Sequence, residues 1–419
     1  MTLAADMQAM GQAARAAAHT LARAPAAQRT DAIAAAGEAL RRRAGAVLAA
    51  NAADLAAATA AGVAAPMLRR LELDRSRIEA MAMALESIAA QRDPLGAELA
   101  RWTRPNGLDI CRVSTPIGVL AIIFESRPNV AADAAALCLR SGNAAILRGG
   151  SEAQFSVRAI HAAIEDGLAV AGLPREAIQL VPTADRAAVG HLLNGLDGAI
   201  DLIIPRGGKT LVARVAAEAH APVLGHLEGL CHTYVHAAAD GDKARAIVLD
   251  AKVRNVSVCG ATETLLVDRA IAPALLPVIA DDLRLGGCEL RGDADACALV
   301  PAMSAATEAD WATEYLAPIL AVRVVEGLDE AVAHVQRWGS GHTDAIVSED
   351  PVAAERFAAE VDSAIVLVNA STQFADGGEF GFGAEIGIST SKLHARGPVG
   401  AEQLTTYKYV VRGSGQTRG

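Results

Sequence analysis

A chain of 419 residues, 52% of them hydrophobic, can bury a large core and is long enough for more than one domain. Its formal net charge of -10 and pI of about 5.5 exclude the clustered Lys and Arg that nucleic acid or an anionic membrane surface requires, so neither is expected as a partner. Aromatic residues make up only 3% and Ala dominates the apolar fraction, which favours long helices packed on strands of Val, Ile and Leu over an aromatic-rich β-sandwich.

The N-terminus, MTLAADMQAM, carries charge and polarity where a secretory signal would be apolar, and no stretch reaches about 18 uncharged apolar residues. A cytoplasmic location is expected. Residues 5 to about 90 are Ala-rich with charges at helical spacing, interrupted at Pro25 and Gly62, and predict several helices without a catalytic signature. Arg41, Arg42 and Arg43 read as the solvated end of one of them. From Gly118 the texture changes: GVLAIIF, NAAILRGG, AIQLVP, DLIIP and PVLGHL alternate with amphipathic stretches to about Leu227, the pattern of βαβ units and a parallel sheet. Within this series Ser151, with Gln154 three residues on, predicts a capping box, and Gly172 with Pro174 closes the same helix. A second strand-and-helix series runs from CHTYVHA through LLPVIA and APILAVRVV to AIVLVNA, ending near residue 370. Residues 371 to 398 are Gly-rich and irregular, a length at which a loop is usually functional, and they are expected to return to the active site.

Two places offer exposed N–H groups at a predicted helix start with a cation alongside: Arg148-Gly149-Gly150-Ser151 and Arg206-Gly207-Gly208-Lys209. Neither matches the GxGxxG spacing of a dinucleotide fingerprint, and taken singly each is more often an ordinary turn. The six cysteines contain no CxxC pair, so reduced thiols are expected. His226, Cys231 and His232 are close in sequence but have no second cluster at ligand spacing, so no metal site is expected. Cys259 precedes a predicted strand among small and polar residues, whereas Cys138, in LCLR on a helix face, suits packing.

The stretches PIGVLAIIFESRPNV, SGNAAILRGGSEA, IDLIIPRGGK, VCGATETLLV, EYLAPILAV and VNASTQFADGGEFGFGAEIGISTSKLHARGP follow one another over nearly the whole chain after residue 110. In this order they resemble a branch of the aldehyde dehydrogenase superfamily, the gamma-glutamyl phosphate reductases of proline biosynthesis. The resemblance implies an α/β fold with two parallel-sheet domains and a small β arm for oligomerisation. Helices of 1–106 would pack on an NADP-binding domain of 117–228, followed by a catalytic domain of 229–370 and a return segment of 371–402. The arm would comprise 107–116 with 403–413.

It further implies NADPH-dependent reduction of glutamyl 5-phosphate to glutamate 5-semialdehyde through a thioester on Cys259. A thiolate displaces a phosphate readily, and the thioester accepts hydride. The backbone N–H of Cys259 and the amide of Asn129 are expected as oxyanion donors. Arg148 stands where the superfamily has a Lys on the adenosine ribose, and a guanidinium there suits a 2′-phosphate. Gly149, Ser151, Gly207, Gly208 and Lys209 are expected near the cofactor phosphates and Glu314 on the nicotinamide ribose. Arg127, Ser371 and Thr372 are expected on the substrate, while His394 and Arg396 serve either substrate or structure. The Glu that activates water in hydrolytic relatives falls by count near Gly225 or His226, with Glu228 out of register. Its loss fits a thioester that must meet hydride and not water. A homo-oligomer, a dimer or a dimer of dimers, is expected, with the upstream glutamate kinase as a further partner. A non-phosphorylating or CoA-acylating dehydrogenase, or a non-catalytic binding protein of the same fold, are the alternatives.

Overall fold

The computed structural model describes residues 2–418 and divides into two compact units, Met1–Gly225 with Gly381–Gly387 and Val399–Gly419, and His226–Phe380 with Ile388–Pro398. No helix among the described residues is long and apolar enough to cross a membrane.

The first unit is built on a four-stranded parallel sheet in the order Ile178–Leu180, Ala144–Gly149, Val119–Phe124, Leu202–Arg206. Every residue of Val119–Phe124 is buried, as a parallel strand covered on both faces must be. PVLGHL, expected as a strand, contributes only a single bridge from Val223 to Ile203. Helices Leu3–Leu21, Ala26–Arg42, Ala44–Ala60 and Arg75–Ala90 form the Ala-rich N-terminal region. Ala side chains allow close helix approach there: a Cβ at Gly167, on helix Gln154–Val170, would lie 2.4 Å from the Ala32 carbonyl oxygen.

The capping box at Ser151 does not form. Ser151–Ala153 make a 3₁₀ turn, and the helix starts one residue later without a cap from its own strand-to-helix turn. Its N-terminal donors are met from another helix, where Asp54 accepts the N–H groups of Phe155 at 3.1 Å and Ser156 at 2.7 Å. A full carboxylate at a helix N-terminus outcompetes a hydroxyl, since it also answers the helix dipole. The other end matches expectation: the helix stops at Val170 and Gly172 takes φ +65°.

A three-stranded antiparallel sheet completes this unit, with Asp109–Pro116 between Glu98–Thr103 and Thr405–Arg412. The first of these strands lies in the segment read from sequence as helical. Register pairs Ile110 with both Trp102 and Val411, and Arg112 with Tyr409, so alternation puts Trp102, Tyr407, Tyr409 and Val411 on one face, all of them exposed.

The second unit holds a seven-stranded parallel sheet ordered Ser304–Ala305, Glu289–Gly292, Ile319–Val325, Thr262–Asp268, Cys231–Val235, Thr343–Val347, Ile365–Val368. Strand Thr262–Asp268 sits centrally and is buried throughout. Leu265 joins a core with Val248, Leu276 and Val322, while Leu266 joins Tyr234, Val325 and Phe357, so successive residues face opposite layers of helices. LLPVIA, named in the strand-and-helix series, lies inside helix Ala272–Leu285.

Candidate active site

Cys259 lies on the loop between helix Gly241–Val253 and the central strand Thr262–Asp268. Its backbone is tightly held: the Cys231 thiol donates to the Cys259 carbonyl at 3.1 Å, and a Cβ on Gly229 would come within 2.1 Å of that same oxygen. Gly229 is therefore the only residue type that fits there. Its N–H donates to Glu314 Oε1 at 2.9 Å.

The Cys259 sulfur and one ring nitrogen each of His226 and His342 lie within 4.8 Å of one another. His342 is fully buried, and its Nδ1 meets the Thr343 hydroxyl at 2.9 Å. His226 Nδ1 meets the Ile388 carbonyl at 2.6 Å, which makes that nitrogen the protonated one in the neutral ring. Burial pushes the Cys259 thiol up, but His342 and His226 outweigh it and hold the thiol well below its ordinary range. Other cysteines behave oppositely: burial raises Cys138 and Cys231, and pushes Cys288 up to about 11. Cys259 is only partly buried as a residue, unlike Cys138 and Cys231.

Sequence reasoning named Cys259, and its count for the missing Glu fell near Gly225 or His226. It missed His342, which stands at the head of strand Thr343–Val347 and carries no local motif. Parts of the Gly-rich segment pack near the Cys259 loop. A Cβ at Gly260 would lie 3.1 Å from the Thr372 carbonyl, Ala375 packs in the cluster that Cys259 borders, and Ile388 contacts His226. Ser371 and Thr372 are buried there with engaged hydroxyls: Ser371 Oγ accepts Gln373 N–H at 3.2 Å, and Thr372 Oγ1 pairs with Thr262 Oγ1 at 3.0 Å. Arg396 donates to the Asp362 carboxylate at 2.7 Å and to its carbonyl at 2.8 Å, which places it with structure. Glu314 is half-buried, and that burial raises its carboxyl although the Gly229 N–H opposes it.

The remaining sequence candidates belong to the first unit. After strand Val119–Phe124, Ser126 adopts φ +50° and is held by Glu152, whose Oε1 accepts its N–H at 2.6 Å and its hydroxyl at 3.0 Å. Arg127 and Asn129 follow, and Asn129 Nδ2 donates to Asp133 at 3.0 Å. Burial pushes the Asp133 carboxyl up to about 6, with the Asn129 amide and Arg206 opposing. The Arg148 guanidinium is nearly buried and gives two of its donors to the carbonyls of Gly149 and Ala184, at 2.7 and 3.1 Å. Gly149 ends its strand and Ser151 is exposed on the 3₁₀ turn. Gly208 caps helix Lys209–Glu218, where Glu125 Oε2 accepts its N–H at 3.3 Å. A carboxylate of the protein thus already answers one donor that sequence reasoning had offered to a phosphate. A Cβ at Gly207 would lie 2.5 Å from that carboxylate, so a side chain there would displace Glu125.

A model of the aldehyde dehydrogenase family matches residues 2–285 and 282–410. The gamma-glutamyl phosphate reductase of Caulobacter sp. (strain K31) is 67% identical over 418 residues, covering 100% of both chains. The crystal structure of gamma-glutamyl phosphate reductase from Thermotoga maritima superposes with a TM-score of 0.95 at 42% identity, covering 99% of this chain and 100% of that one. An acetylating aldehyde dehydrogenase from Geobacillus thermoglucosidasius shares the fold at TM-score 0.71 and 18% identity, covering 100% and 98%.

Proposed function

The chain belongs to the aldehyde dehydrogenase family, and from that premise we propose that it reduces L-glutamyl 5-phosphate to L-glutamate 5-semialdehyde and phosphate with a nicotinamide cofactor, through a thioester on Cys259. The observation that carries this reading is the partly buried thiol flanked by two imidazoles.

The Cys259 thiolate attacks the acyl carbonyl, a C–S bond forms, and the C–O bond to phosphate breaks with its electron pair leaving on phosphate. When bound, the reduced nicotinamide supplies the hydride for the thioester carbon. The resulting oxyanion collapses to the aldehyde and expels sulfur as thiolate. The cycle begins and ends on a thiolate with no net proton transfer, and His226 and His342 stand beside the sulfur and favour that form. The backbone N–H of Cys259 and the amide of Asn129 are assigned to the oxyanion. Asn129 spends one N–H on Asp133, which orients the amide and leaves a second.

The residues fit a nicotinamide dinucleotide. Glu314 has one oxygen engaged by Gly229 and a second for a ribose hydroxyl, and the space beside the Gly208 α-carbon is open at the head of its helix. We assign Gly149, Ser151, Gly207, Gly208 and Lys209 to the phosphate region. Arg148 supports NADPH over NADH, since a guanidinium has five donors and its two backbone bonds leave others for a 2′-phosphate. Arg127, Ser371 and Thr372 are assigned to the substrate, and Ser371 Oγ, which accepts the Gln373 N–H, keeps its own O–H to donate. The exposed aromatic face of the antiparallel sheet supports pairing of subunits. An acyl phosphate hydrolyses readily, which favours direct transfer from the upstream glutamate kinase.

The test is NADP reduction with glutamate 5-semialdehyde, with and without inorganic phosphate, on wild type, Cys259→Ala and Arg148→Ala. Phosphate-dependent turnover that vanishes without Cys259 supports the reading, as does an Arg148 variant that loses preference for NADP over NAD. Equal turnover without phosphate means the free acid is the product and the reductase reading is wrong.

A further inference from the structure

Two buried charges stand outside the chemistry assigned so far. Lys252 is 0% and Glu263 1% exposed, and Lys252 Nζ donates to Glu263 Oε2. Lys252 is in the last turn of helix Gly241–Val253, and Glu263 is the second residue of strand Thr262–Asp268. The pair therefore closes the base of the loop that carries Cys259. Removing two charges from water costs more than their attraction usually returns, and an apolar pair of similar volume often serves stability as well, so stability alone is a weak reason for this pair.

The second carboxylate oxygen supplies another reason. Glu263 Oε1 accepts the N–H of Leu316 at 3.2 Å, and Leu316 adopts φ +49°, a conformation a non-Gly residue holds only when its surroundings impose it. Lys252 Nζ also lies 5.8 Å from the centroid of the Tyr315 ring. Both residues following Glu314 are thus gripped by the same ion pair. Glu314 in turn accepts the Gly229 N–H at 2.9 Å, and Gly229 packs directly against the Cys259 carbonyl. The contacts close a circuit that starts and ends on the nucleophile loop.

We propose that Glu263, together with Lys252, is a positioning residue that locks the Glu314 segment and the Cys259 loop into one rigid circuit, so that the cofactor ribose and the nucleophile share a register. The inference rests on the reading that Glu314 holds the nicotinamide ribose and Cys259 attacks the substrate. Hydride transfer demands such a shared frame, because small misplacements of the reacting groups cost large factors in rate. A cofactor held by Glu314 then also changes the reactivity of Cys259.

The test compares wild type with Glu263→Gln, with the double variant Lys252→Met/Glu263→Leu, and with Glu314→Gln. Four quantities are read: the thermal midpoint, KM for NADP, kcat, and the rate of Cys259 alkylation by iodoacetamide with and without NADP. The expected result is a KM for NADP raised about tenfold and a lowered kcat in both Glu263 variants, with an alkylation rate that no longer responds to NADP as the wild type's does. The double variant should keep its thermal midpoint and still show these losses. If it matches wild type in KM, kcat and NADP response, the pair is purely structural and the proposal fails. Glu314→Gln with an unchanged KM for NADP would instead remove the premise about Glu314, an outcome read separately from the Glu263 arms.

Discussion

At the scale of single residues, what distinguishes Cys259 from the other cysteines is its company. Cys138 and Cys259 are both thiols in a largely apolar protein, yet burial alone acts on Cys138 and raises it, while at Cys259 two imidazoles reverse the sign. The consequence is a pH dependence with a definite direction. In wild type the thiolate persists well below the ordinary thiol range, so alkylation by iodoacetamide should be nearly flat from about pH 7 to pH 9. In His342→Gln one of the two lowering partners is gone and His226 remains, so the rate should fall several-fold at pH 7 and climb toward the wild-type rate as pH rises. Rates measured across that range on both proteins check this; parallel profiles would show that His342 does not set the ionisation. Cys259 could be singled out from sequence because it lies in a local motif. His342 could not, since nothing near it in sequence marks it, and only the pairing of strands Cys231–Val235 and Thr343–Val347 brings it to the loop.

At the scale of elements, the site is made by ends: the end of a helix at Lys252, the head of a strand at His342, and the turn at Gly229. Gly229 is the tightest of these junctions. Gly229→Ala would drive a methyl into the Cys259 carbonyl and shift the nucleophile, so kcat should drop about a hundredfold while the thermal midpoint moves by only a few degrees. Steady-state kinetics alongside a melting curve decide it, and a variant with normal kcat means the loop relaxes without cost. The helix Gln154–Val170 teaches a related lesson. Ser151 and Gln154 have the spacing of a capping box, but the carboxylate of Asp54, brought in from helix Ala44–Ala60, takes the donors. A local pattern predicts a local partner, and a stronger distant one displaces it. The strand Glu98–Thr103 was unreadable for a different reason: it is short, mostly exposed and lacks alternation, and it exists through pairing with Asp109–Pro116.

At the scale of the whole molecule, the antiparallel sheet leaves Trp102, Tyr407, Tyr409 and Val411 uncovered on one face, with Tyr409 at 54% exposure. Such a face in an isolated chain invites association, which is the role proposed for it. Tyr409→Glu places a charge on that face without touching the strand hydrogen bonds. It should convert the assembly to smaller species by light scattering while circular dichroism stays unchanged, and an unaltered mass would rule this face out as the subunit contact.

The sequence by itself determined the alternation of strand and helix and the family, and it singled out Cys259 and the Gly-rich segment as candidates. These are carried by periodicity and by motifs whose residues are neighbours in the chain, so each can be read where it stands. Only the tertiary structure decided which groups surround the sulfur, that Glu125 answers an N–H at a presumed phosphate turn, and that one buried carboxylate ties Lys252 to Leu316. Electrostatic and hydrogen-bonding partners are chosen by distance in space, and packing brings together residues whose separation along the chain carries no trace of the contact.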